Sequence, residues 1–214
     1  MISLTNYIGL DEVGRWPLAG PATVGGVFCL PEFWTDLPSR YHDVTDSKKL
    51  TSWQRSYLAE QILIHPYILV KISSSSNKVV DRYGIVTALR RASVDVISTL
   101  VHDITLLFPK YAPQIILDGK TDYGIRKKIS FPLETLVKGD ALVWQIAAAS
   151  IVAKVYRDTY MVKIASKKKY ERYGFERHKG YGTVFHRNAI ARYWLSDIHR
   201  ISFCKNIGPF SPCI

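Results

Sequence analysis

Asn6-Tyr-Ile-Gly-Leu-Asp-Glu-Val-Gly-Arg-Trp-Pro-Leu-Ala-Gly-Pro21 is the stretch on which the reading of the chain turns. A short apolar run leads to two adjacent carboxylates, Asp11 and Glu12, and then to Gly14, Arg15, Pro17, Gly20 and Pro21. Successive strand side chains point to opposite faces, so both acids serve one site only if the strand ends between them. The glycines that follow supply such a break, because glycine takes backbone conformations other residues avoid. Two carboxylates at a strand end, followed by a tight basic loop, suit a hard cation and an anionic partner. The plainer reading is a solvated acidic pair in an ordinary turn, and the dipeptide alone does not decide between them.

Downstream, residues 22–30 read as a second strand, the hairpin partner of the first, and residues 31–45 read as loop. Thr51 with Gln54 forms a capping box for a helix whose apolar face is Trp53, Tyr57, Leu58 and Ile62, stopped by Pro66. Residues 67–73 alternate as a third strand, and helical spacing returns at Ile85, Ala88, Leu89, Ala92 and Val96. The run from Gln114 to Asp118 is an apolar strand that again ends on an aspartate and a glycine. If it lies parallel and adjacent to the first strand, Asp11 and Asp118 both emerge at carboxyl ends, where ligands of open α/β sheets bind. A lone strand-end aspartate also serves as a turn residue. Lys138-Gly-Asp140 then opens one long predicted helix from Ala141 to Asp158, with Asp140 placed to cap its positive end. Eighteen residues make about five whole turns, so Asp158 repeats the azimuth of Asp140 too far along to share a ligand with it. Arg157 and Asp158 are accordingly read as structural. The helix tail is basic at Lys163, Lys167, Lys168 and Lys169, with Tyr170, Tyr173 and Phe175 interleaved, and Thr183 caps a last helix. Residues 208–214 read as a loose tail.

The opening stretch resembles the signature of the ribonuclease HII (type 2 ribonuclease H) family, Gly-x-Asp-Glu-x-Gly-Arg-Gly-Pro-Leu-x-Gly-Pro. Gly9, Asp11, Glu12, Gly14, Arg15, Pro17, Leu18, Gly20 and Pro21 match, while Trp16 stands where the family has glycine. Further matches follow in the family's order. They are Leu117-Asp-Gly119 (with Lys120 for the family's asparagine), Lys138-Gly-Asp140 with the Ala-Ala-Ala-Ser run, His178-Lys-Gly-Tyr181, and His199-Arg-Ile-Ser-Phe203. The resemblance spans residues 6 to about 203. It implies a ribonuclease-H-like mixed β-sheet flanked by helices over residues 1–160, with a small C-terminal helical substrate-binding extension over 161–214.

Composition sets the background. At 214 residues and 47% hydrophobic, the chain is long enough to bury a full core. Cys29, Cys204 and Cys213 form no CxxC pair and are odd in number, which argues against disulfide scaffolding and zinc and fits a reducing cytoplasm. The first residues lack the layout of a signal peptide, and no apolar run reaches membrane-spanning length. The net charge of +11 suits a polyanionic partner.

The resemblance makes Asp11, Glu12, Asp118 and Asp140 the catalytic and metal-binding set. Like charges so close cost several kcal/mol at an effective dielectric near ~20, so they call for divalent cations or raised pKa values. Oxygen-only ligation suits Mg²⁺ or Mn²⁺, and two such ions about 4 Å apart serve in-line hydrolysis by water. The implied reaction is endonucleolytic cleavage of RNA in RNA–DNA hybrids and 5′ of ribonucleotides in duplex DNA, leaving 5′-phosphate and 3′-hydroxyl. Gly14, Arg15, Trp16, Ser47, Lys48, Lys49, Lys179 and Tyr181 are the implied substrate-binding residues. The loop of Gly14 to Trp16 is expected to meet the ribose 2′-hydroxyl and Tyr181 the RNA-to-DNA junction, with Trp16 turned into the core. No obligate protein partner is expected. Two alternatives carry different signatures: a basic RNA-binding protein would bind without divalent-dependent cleavage, and a ribonuclease-H-like resolvase or transposase would cut all-DNA junctions.

Overall fold

The computed structural model describes residues 5–35, 41 and 43–207. Five strands, β1 (Tyr7–Val13), β2 (Ala22–Cys29), β3 (Ile68–Ser75), β4 (Gln114–Asp118) and β5 (Leu133–Leu136), form one sheet in the order β3-β2-β1-β4-β5. β1 pairs antiparallel with β2, Asp11 facing Gly25, and parallel with β4, Leu10 facing Leu117. β4 pairs parallel with β5, Asp118 facing Leu136. The parallel half therefore sends three strand ends, and the carboxylates on them, to one edge.

Helices cover both faces. On one face α3 (Asn77–Tyr83) and α4 (Ile85–Leu107) bury Leu89, Val96 and Leu100 against Ile8, Leu10, Val24, Phe28 and Leu117. On the other, α2 (Ser52–Ile64) and α6 (Trp144–Ala165) bury Leu58, Ile62, Ala148 and Ile151 against Val27, Cys29 and Ile68. The close seat of α6 has a steric cause. A Cβ on Gly9 would fall 2.5 Å from the Gln145 carbonyl carbon, and one on Gly25 would fall 2.6 Å from the Ala149 oxygen. Glycine on the strands and alanine on the helix let the backbones nearly touch.

The capping box forms as expected, with Gln54 N–H donating to Thr51 Oγ1 at 3.2 Å and Thr51 N–H to Gln54 Oε1 at 2.9 Å. Three expectations need correction. Pro31–Thr35 forms a short helix, α1, where loop was expected, because Phe33 buries itself among aromatic rings. The third strand continues to Ser75, and Ser76 then caps α3. The long helix expected after Asp140 is broken. Gly139–Leu142 forms a single turn, α5, after which Val143 is extended (φ −117°, ψ 123°) before α6 begins. The buried, β-branched Val143 packs against Ile116 and Ile146, and that packing overrides helical continuity. Asp140 and Asp158 consequently lie on different helices, and the azimuth argument does not apply. Asp158 instead accepts from Lys154 at 3.0 Å.

Beyond α6 come a 3-10 turn (Lys168–Tyr173), α7 (Phe175–His178), α8 (Val184–Tyr193) and a last 3-10 turn (Ile201–Phe203). Tyr170, Tyr173 and Phe175, read as interleaved with a basic run, are buried with Met161, Ile164 and Ile198. They are core. Thr183 accepts the His186 N–H and caps α8 as expected. Residue 160, the expected boundary, falls within α6, and the chain beyond it is sewn to the β1–β2 loop. Leu18 N–H donates to Gly180 O (2.8 Å), Gly20 N–H to Ile198 O (2.9 Å) and Arg200 N–H to Leu18 O (2.7 Å). The tail read at 208–214 lies outside the described residues. Among the described residues no helix is long and apolar enough to cross a membrane.

Candidate active site

Where β1, β4 and β5 end, an open cleft of about 410 Å³ is lined by Asp11, Glu12, Gly14, Arg15, Trp16, Ser47, Lys48, Arg55, Asp118, Ser150, Lys154 and Tyr181. Asp140 adjoins it: Gly139 N–H donates to Asp118 Oδ1 at 2.7 Å, and Asp140 Oδ2 lies 3.7 Å from Lys48 Nζ. Nine of the twelve expected residues thus line one cleft, and Asp140 borders it. Lys49 is exposed and outside the lining. Lys179 lines a neighbouring groove between α2 and α6, and its carbonyl accepts from Arg157.

The carboxylates are held in a state that resists their charge. Burial, then the neighbouring Glu12, raises Asp11 well above the ordinary carboxylate range, although Ser150 hydrogen-bonds to it. Burial also raises Glu12, against the opposing Tyr123 hydrogen bond and Arg15 charge. Asp140 is raised by burial and by Asp118. Lys48 is held above its usual value. Burial opposes its charge, but Asp140, Asp46, Asp11 and Asp118 together outweigh it.

The donor set is oxygen-only, which suits a hard divalent cation. Glu12 Oε2 is buried without a hydrogen-bond partner. A buried carboxylate oxygen is costly to leave unmatched, and a cation would satisfy it. Among the described residues no three acidic, histidine or cysteine side chains stand close enough together to hold a metal ion as they are placed. The fit to a divalent cation rests on the oxygen-only donors and on the unpartnered Glu12 Oε2.

Two features of the site differ from expectation or escaped it. Trp16 does not turn into the core; it is 73% exposed at the cleft rim, with the Arg15 guanidinium 5.0 Å from its ring. The volume beneath the loop is already filled. Arg157 donates to the carbonyls of Pro21, Ala19 and Lys179 at 3.0–3.1 Å. Arg200 donates to Gly20, Arg15 and Gly14 at 2.7–3.1 Å. Trp16 is not among the residues with positive φ, so its backbone conformation does not demand glycine. Gly14 does, at φ 83°, with Arg157 directly beneath it.

Tyr123, which no motif marked, donates its hydroxyl to Glu12 Oε1 at 2.9 Å and accepts from Arg15 Nη1 at 2.9 Å. It fixes one Glu12 oxygen and leaves the other buried and without a partner. Ser150, bonded to Ser47 at 3.0 Å, was legible only as one letter of the Ala-Ala-Ala-Ser run.

A family model described as Ribonuclease HII matches residues 8–206. The chain belongs to the ribonuclease HII family. A Ribonuclease HII of Caldicellulosiruptor bescii is 40% identical over 93% of this chain and 86% of that protein. One from Thermosynechococcus vestitus is 38% identical over 96% and 86%. In fold, the chain overlays the ribonuclease H2 of Pyrococcus horikoshii OT3 with a TM-score of 0.72, covering 94% of this chain and 96% of that one at 23% identity. Family and fold together make it a ribonuclease H-type endonuclease.

Proposed function

We propose that this ribonuclease HII hydrolyses the RNA strand of RNA–DNA hybrids and incises duplex DNA on the 5′ side of embedded ribonucleotides, with Asp11, Glu12, Asp118 and Asp140 as its catalytic set. The observation that carries this reading is the convergence of the carboxylates at the carboxyl-end side of parallel β1, β4 and β5, with burial holding Asp11, Glu12 and Asp140 against their charge. Mg²⁺ or Mn²⁺ held by these four residues would polarise the scissile phosphate and lower the pKa of an attacking water.

The chain's own groups do the rest. Tyr123 and Arg15 hold Glu12 in one rotamer. Lys48, positively charged at the cleft mouth, attracts the phosphate backbone. Water adds to phosphorus, the bond to the upstream O3′ breaks, and that oxygen leaves as a hydroxyl while the ribonucleotide keeps the 5′-phosphate. The carbonyls of Gly14 and Arg15, clamped from below by Arg200, hold the loop that would meet the ribose 2′-hydroxyl, the group that separates RNA from DNA. Tyr181, at the cleft wall beside Lys154 and Arg157, would pack on the deoxyribose at the junction. Trp16 offers a further exposed ring on the cleft lining. A cytoplasmic setting fits the buried free thiols of Cys29 and Cys204.

The test uses labelled hybrid, a duplex with one ribonucleotide, and all-DNA duplex, each with Mg²⁺, Mn²⁺ or EDTA. Cleavage of the first two alone, with a divalent ion alone, is expected. Cutting in EDTA, or cutting of all-DNA duplex, would sink the reading. On the single-ribonucleotide duplex Tyr181→Ala should lose activity that Tyr181→Phe keeps, and Trp16→Gly should preserve the chemistry. Equal cutting by Tyr181→Ala and wild type would remove Tyr181 from junction reading.

A further inference from the structure

Three imidazoles lie buried beneath the Tyr181 turn and take no part in the chemistry above: His178, His186 and His199. The His178 ring stacks on that of His186 with centroids 4.3 Å apart, and His186 Nε2 lies 3.0 Å from His199 Nε2. Two ring nitrogens can share a hydrogen bond only if one carries a proton and the other does not. The surrounding partners decide which. His186 Nδ1 lies 2.9 Å from the Tyr181 carbonyl oxygen. A carbonyl only accepts, so Nδ1 bears the proton and Nε2 of the neutral ring accepts. His199 Nε2 must then donate, which leaves His199 Nδ1 bare. There it receives the Ser196 N–H at 2.8 Å, with the Ser196 hydroxyl at 2.7 Å. His178 obeys the same logic. Its Nδ1 accepts from Gly180 N–H at 3.2 Å, and its Nε2 donates to Tyr173 O at 2.8 Å.

One arrangement of protons satisfies every contact, and it requires all three rings to be neutral. Burial supplies that condition, lowering His186 to about 3 and His199 to about 4. The chain of bonds has a direction. It begins at the Ser196 main chain, passes through His199 and His186, and ends on the carbonyl of Tyr181, while His178 holds the adjacent Gly180 amide. Gly180 has φ 87° and Lys179 φ 53°, so the turn carrying Tyr181 passes through two left-handed residues in succession and needs holding.

We propose that His186, oriented by His199, is a positioning residue that fixes the Tyr181 main chain and with it the angle at which the tyrosine ring meets nucleic acid. The proposal rests on the reading of Tyr181 as the junction contact. A packing role would need only the shape of the rings; positioning needs a proton at one stated atom, His186 Nδ1.

Two side chains separate these roles. His186→Asn places an amide N–H near the Nδ1 position and can still donate to Tyr181 O. His186→Gln reaches toward His199 instead and loses that donor. For positioning, His186→Gln should raise KM on the single-ribonucleotide duplex about fivefold, the worth of one ordinary hydrogen bond, with a smaller change in kcat. His186→Asn should show the smaller rise in KM. Equal losses in both variants, or a greater loss in His186→Asn, would overturn the proposal. A second measurement needs no variant: ¹⁵N-histidine spectra of the wild-type protein at neutral pH. Slowly exchanging protons on His186 Nδ1 and His199 Nε2 are expected, and the opposite tautomers would overturn the relay. Should Tyr181→Ala cut the lone ribonucleotide as wild type does, the reading of Tyr181 fails, while the spectra still judge the relay.

Discussion

Two sets of buried charge flank the loop at residues 14–21, and the fold treats them in opposite ways. On the cleft side, Asp11 and Glu12 are desolvated, crowded by other acids and raised in pKa, and Glu12 Oε2 has no partner. On the inner side, Arg157 and Arg200 are wholly buried, yet each guanidinium donates to three main-chain carbonyls. Burial, and then the neighbouring Arg157, lowers Arg200 to about 9, while the charge of nearby Asp81 acts the other way, so its cation survives at neutral pH. The contrast separates scaffold from site. Where geometry must be fixed, the chain completes the hydrogen bonding of its own buried charge. Where a ligand is to be received, the chain leaves the charge incomplete.

The sharpest way to break this contrast is Asp118→Asn. Cleavage should fall by at least ~100-fold, the scale for losing a preorganised electrostatic group. Folding should hardly change, because asparagine Oδ1 can still accept the Gly139 N–H that Asp118 accepts now. Divalent ions should raise the Tm of wild type more than that of the variant. Turnover near wild type would take Asp118 out of the site.

Arg200→Met tests the other side. It strands three carbonyls in the interior, each worth about 1–3 kcal/mol, and should cost about 4 kcal/mol in urea unfolding. A loss below about 1 kcal/mol would show that the loop holds itself without the clamp.

Acid sharpens the comparison, because its sign differs between the groups. His186 and His199 have folded pKa values of about 3 and about 4, below the ~6.5 of an unfolded chain. The native state binds fewer protons there, so their contribution is complete above pH ~6.5 and is lost as pH falls toward 4 and 3. Asp11, Glu12 and Asp140, raised in the native state, act oppositely. Their contribution is full below the ordinary carboxylate range and is lost as pH rises through their elevated values. Comparing wild type with His199→Gln isolates the histidine part. Wild type should lose on the order of 2 kcal/mol relative to the variant between pH 6.5 and 4, and parallel pH profiles would contradict this.

The smallest effect belongs to the exposed lysines. Lys169 already lies 3.0 Å from Asp197 in an exposed ion pair, while among the described residues Lys167 and Lys168 form no salt bridge. Neutralising all three should lower the log–log salt slope of duplex binding by about 0.9 per lost phosphate contact, for at most two contacts. An unchanged slope would mark the run as solvated surface.

Much of the site was legible because its signals are local. Asp11 and Asp118 each close an apolar run, and the parallel pairing of β1 with β4 brings those runs side by side. The expected strand end between Asp11 and Glu12 does not occur: β1 continues through both acids to Val13, paired with β2 throughout. Tyr123 was not legible. It reaches Glu12 across 111 residues from a turn whose φ of 52° no periodicity announces. The break at Val143 escaped because helical spacing continues through it, and only tertiary packing of that side chain interrupts the helix. Trp16 was misplaced for a related reason. Its hydrophobicity argues for the core, but the space beneath it belongs to two arginines, one of them more than 180 residues further along the chain.

That separation in sequence bears on how the protein is made. Gly14 leaves the ribosome early, while the Arg200 side chain that holds its carbonyl is synthesised 186 residues later. At roughly 5–20 residues per second, the first strand and its acids exist for roughly 10–40 s before the clamp can close. Until Arg157 is made nothing holds the loop at Ala19 and Pro21, and until Arg200 follows nothing holds it at Gly14 and Arg15. A product truncated before residue 200 would keep β1, β4 and β5 yet lack the guanidinium that holds the carbonyls of Gly14, Arg15 and Gly20.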